Sequence, residues 1–91
     1  MMGRERLVKD APFYDVLFPS VGKTVTVHQG RRKHEKTLFV WTAQNGNEGW
    51  LVAENCPDDG SLPNNGYTVF SGEVVKKVVT DFFGTHVYLD F

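Results

Sequence analysis

The chain has 91 residues, 41% of them hydrophobic, and a formal net charge of −1 from 10 basic and 11 acidic side chains. That length suits one hydrophobic core and leaves no room for a second folding unit, so residues 1–91 are read as a single domain. The near-zero charge excludes a long-range field for nucleic acid or anionic lipid, and the single cysteine, Cys56, excludes an internal disulfide and the Cys-rich zinc patterns.

Thirteen Val, 12 aromatic residues and 7 Thr stand against 3 Ala and 6 Leu. Side chains branched at Cβ, or carrying a ring, fit a pleated surface and lose rotamer freedom on a helix, so composition favours strands. Charges at Arg4, Glu5, Arg6, Lys9, Asp10 and Asp15 interrupt every apolar run in residues 1–20. Neither a signal peptide nor a membrane span is expected there, and with one thiol the expected location is cytoplasmic, away from membranes.

Residues 1–6 read as frayed. After Asp10, a candidate N-cap, the stretch Pro12 to Phe18 predicts a short helical turn ended by Pro19. Thr24 to Gln29 alternates, with Val25 and Val27 on one face, and predicts a half-buried strand. Thr37 to Ala43 is apolar on both faces and predicts a central strand. Asn45-Gly46 then signals a two-residue hairpin whose returning strand is Gly49 to Glu54. That register places Trp41 opposite Trp50 and Phe39 opposite Val52. Residues 55–66 hold too many Pro, Gly, Asp and Asn for a regular element and predict a long loop.

The segment from Tyr67 onward supports two structures. As a helix over 72–83, Val74, Val75, Val78, Val79, Phe82 and Phe83 share one side, with Ser71 as cap and Gly84 as stop. Four Val in six positions argue instead for a long bent strand from Tyr67 to Thr80. That strand is eased by Gly72 and bulged near Val78, and it leads through a turn at Asp81 to Thr85 into a last strand. The strand version is preferred. The elements together predict a mainly β fold: a small, strongly bent antiparallel sheet of about five strands, closing toward an SH3-like or OB-like partial barrel, with a short N-terminal helical turn. That likeness is one of strand count and size only. The alternative is an α+β fold with the helix at 72–83.

The sequence carries no Gly-rich phosphate loop, metal-spaced His pair or serine-nucleophile motif. No catalytic residue, metal ligand or cofactor is assigned. His28 and His86 fall at polar strand positions and read as surface residues, and Asp58 and Asp59 read as turn residues. Cys56 reads as a small hydrophobe, with a thiolate–imidazole enzyme as the competing class.

Two features suggest binding. Arg31, Arg32, Lys33, His34 and Lys36, with Glu35 among them, put a local net charge of +3 into a predicted hairpin loop that could hold phosphates weakly. Glu54, Asp58 and Asp59 are expected at the same end of the sheet, partly neutralising it. Phe39, Trp41 and Trp50 form a predicted aromatic sheet face. The preferred function is a non-catalytic binding module that meets a protein partner through that face or an edge strand. Weak nucleic-acid binding by the basic loop is the alternative, and self-association through the two-sided strand 37–43 is a third. Phe39, Val40, Leu51 and Val87 are expected in the core.

Overall fold

The computed structural model describes residues 8–42, 46–56 and 61–90. The frayed segment expected at residues 1–6, Asp58 and Asp59, and Asn45 of the expected turn lie outside the described residues. A 3-10 turn at Val8–Asp10 leads to the helix α1 at Tyr14–Leu17 and a second 3-10 turn at Phe18–Ser20 that contains Pro19. The cap of α1 is Phe13 and not Asp10. Its carbonyl accepts the Val16 and Leu17 N–H groups at 3.1 and 2.9 Å, and its backbone is left-handed at φ 67.

Six strands follow: β1 (Thr24–Gln29), β2 (Arg32–Thr42), β3 (Glu48–Ala53), β4 (Thr68–Phe70), β5 (Val75–Asp81) and β6 (Gly84–Leu89). They form one sheet in the order β4-β3-β2-β1-β6-β5. Every neighbouring pair is antiparallel except β1 and β6, which run parallel. The fold is mainly β, with six strands where about five were expected and without closure into a barrel.

The sheet is nonetheless bent, as chain length requires. Flat, six strands would place the two edges about 24 Å apart. Five steps of chain join Phe70 on one edge to Val75 on the other, and they reach no further than about 18 Å. The predicted Tyr67–Thr80 strand is therefore divided by a 3-10 turn at Gly72–Val74. Ser71 caps that turn, its Oγ accepting the Glu73 N–H at 3.3 Å. The helix alternative at 72–83 is not adopted, because Val75–Asp81 is a strand, and its bulge falls between Val75 and Lys77 instead of near Val78.

One face of the sheet carries the core. Val25, Val27, Leu38, Trp50, Val52, Phe70, Val75, Val87 and Leu89 cluster there beneath Leu17 of α1. The turn at Gly72 closes one side so tightly that a Cβ would stand 2.6 Å from the Ala11 Cβ and 3.3 Å from the Pro12 carbonyl oxygen. Leu51, on the opposite face of β3, is also fully buried, whereas Phe39 and Val40 are half-buried. A single chain thus covers much of the two-sided apolar run.

Candidate functional site

The β5–β6 hairpin turns through two residues, Phe82 and Phe83, with Asp81 paired to Gly84. Such turns favour Gly, Asn and Asp, whose backbones tolerate the geometry and whose side chains tolerate water. Here the turn is fixed by its neighbours. Asp81 Oδ1 accepts the Phe83 N–H at 2.8 Å, and Gly84 takes the left-handed φ of 123 that a side chain would resist. The two rings are 96% and 88% exposed and meet edge to face at 5.6 Å. Burying one Phe is worth about 1.5–3 kcal/mol, so this turn holds apolar surface out in water that the chain's own core does not use.

The strand leading into that turn is a sheet edge. The Asp81–Gly84 pair closes a two-residue turn and is hydrogen-bonded, so alternation along the ladder makes Val79–His86 and Lys77–Tyr88 hydrogen-bonded as well. Val78 and Thr80 then direct their N–H and C=O groups away from β6. Among the described residues no strand pairs with that side. Proteins protect such edges with lysines and bulges. Lys76, Lys77 and the bulge do so at the start of β5, but Val78 to Phe83 has no such protection, and Val79 is 39% exposed.

Beside this edge lies a cluster of rings. The parallel pairing of β1 with β6 sets Thr26 against His86 and His28 against Tyr88. His28 stacks on Tyr88 with centroids 4.2 Å apart and planes 9° from parallel, and Lys77 Nζ sits 4.8 Å from the Tyr88 centroid. His28 Nε2 lies 3.0 Å from His86 Nδ1, and His86 Nε2 lies 3.8 Å from Asp81 Oδ1. One of the two facing nitrogens carries the proton and donates to the other. Burial lowers the His28 pKa from 6.5, and the adjacent His86 and Lys33 lower it further. Where plain surface residues were expected, His28 and His86 are half-buried and bonded to each other. Among the described residues no three His, Cys, Asp or Glu side chains are grouped to hold a metal ion.

The sequence-predicted residues are dispersed. Arg32 to Lys36 are not in a loop but open β2, after a two-residue turn at Gly30 and Arg31 in which Gly30 has φ 59. Alternation along a strand separates Arg32, His34 and Lys36 on the core side from Lys33 and Glu35 on the other. Lys36 Nζ lies 3.9 Å from Glu54, the neutralisation expected there, and the two border an open polar cleft of about 480 Å³ with Asn55, Asn65 and Gly66.

The aromatic trio does not share a face. Trp41 is opposite Gly49, and Trp50 is opposite Val40. The last described pair is Thr42 with Glu48, one residue off the register that a two-residue turn at Asn45-Gly46 would set, and a one-residue change of register reverses every side chain. Trp50 is fully buried under Tyr14 of α1, with ring centroids 6.4 Å apart, whereas Trp41 and Phe39 are half-buried on the other side. Cys56 is a half-buried free thiol. No helix among the described residues is long and apolar enough to cross a membrane. Compared with family models, curated proteins and solved structures, the chain matches none.

Proposed function

We propose that the protein is a non-catalytic binding module that takes an extended segment of a protein partner along the β5 edge, anchored by the Phe82–Phe83 turn. The observation that carries this reading is the near-complete exposure of two phenylalanines on a turn whose backbone is already fixed. A preorganised apolar anchor loses little conformational freedom on binding, which is where association otherwise costs most. The open groups of Val78 and Thr80 add main-chain hydrogen bonds, as in strand addition to a sheet edge. Phe39 and Trp41, the remnant of the predicted aromatic face, are less exposed than this turn and offer less to a partner.

Display selection of extended peptides against the immobilised chain tests the reading. Thr80→Pro removes an outward N–H without touching the ladder to β6, and the pair Phe82→Ser with Phe83→Ser removes the anchor. Selected peptides are expected to lose binding to both variants. Peptides that bind all three proteins equally well refute the assignment.

A further inference from the structure

We propose that two copies of this chain pair antiparallel along β5, about a two-fold axis through Val79. The proposal rests on the reading of β5 as an open binding edge and names a second copy as its occupant.

Register and charge carry it together. A two-fold axis through Val79 sets Val78 opposite the second copy's Thr80, and these are the residues whose N–H and C=O groups point outward. Both ends of the pairing then exchange main-chain hydrogen bonds, and Val79 meets its own counterpart at a non-hydrogen-bonded site, where side chains approach closest.

Lys77, Val79 and Asp81 project from one face, because alternate strand residues do. The same axis sets each Lys77 opposite the second copy's Asp81, so the row lysine–valine–aspartate is its own complement when reversed. An axis through Val78 would instead set Lys77 opposite Val79, and one through Thr80 would set Asp81 opposite Val79. Neither pairs the charges. Only the Val79 register satisfies the backbone and the charges at once, which is the self-complementarity an isologous contact requires. It also brings each Phe82–Phe83 turn toward the level of the second copy's exposed Lys76, giving the rings an ammonium neighbour.

Disulfide scanning on a Cys56→Ser background tests the register. The Cα atoms of a non-hydrogen-bonded pair stand about 4.5 Å apart, within disulfide reach. Under mild oxidation Val79→Cys is expected to link two chains, while Val78→Cys and Thr80→Cys stay reduced. Light scattering is expected to give the mass of two chains for the unaltered protein and of one for Thr80→Pro with an unchanged circular dichroism spectrum. Lys77→Asp, which leaves the backbone alone, is expected to raise the dissociation constant on the order of tenfold. A single-chain mass across a dilution series, or a two-chain mass with Val79→Cys remaining reduced, overturns the proposal. A single chain that still binds selected peptides in a Thr80-dependent way overturns self-pairing alone, and one that binds none overturns the binding edge as well.

Discussion

His28 Nε2 and His86 Nδ1 stand 3.0 Å apart, joined by one hydrogen bond between strands 58 residues distant in sequence. Burial of the His28 ring, with His86 and Lys33 beside it, disfavours adding a proton to it. Because the folded-state pKa of His28 lies below 6.5, the unfolded chain takes up this proton first as pH falls. The contribution to stability is full above 6.5 and is lost as pH falls through the lowered folded-state value. Urea denaturation at a series of pH values is expected to show this slope in the unaltered chain and a shallower one in His28→Gln. Equal slopes would contradict the assignment.

Gly72→Ala is expected to destabilise the fold by about 1–3 kcal/mol, because the new methyl group has no room beside Ala11 and Pro12. A urea midpoint unchanged by the substitution would mean that the 3-10 turn does not pack on the N-terminal segment.

Trp50→Ala is expected to cost about 3–5 kcal/mol, since a fully buried indole leaves a large cavity. Trp41→Ala should cost less. Because the two rings lie on opposite faces, a double-mutant cycle between them is expected to give coupling below about 0.5 kcal/mol. Strong coupling would restore the Trp–Trp register that Asn45-Gly46 suggests.

Phe82→Ser and Phe83→Ser are each expected to change stability by no more than about 0.5 kcal/mol, as neither ring is covered in the folded chain. A loss above about 2 kcal/mol would show that the rings are packed in solution and not displayed.

What the sequence made legible was local. Val25 and Val27 alternate with polar neighbours, and the strand Thr24–Gln29 appears with those bounds. The valine-rich run resolves to strand because Val75 and Val78 pack on the core across from Leu89 and Val87. The register of β2 with β3 was not legible, because it depends on how many residues the turn takes. Nor was the histidine pair, since parallel pairing between β1 and β6 leaves no signature in either segment. The turn at 81–85 was readable, but the exposure of Phe82 and Phe83 follows from the position of β5 at the sheet edge, which only the strand order supplies.

Residue-resolved amide hydrogen exchange across a dilution series tests the role of the β5 edge most directly. The Val79 amide bonds to β6 within one chain and should be protected at every concentration. The Val78 and Thr80 amides point outward, so they are expected to exchange freely in dilute solution and to gain protection together as concentration rises. If both stay unprotected at the highest concentration while amides elsewhere on the sheet become protected, the chain associates through another surface and self-pairing along the β5 edge is contradicted.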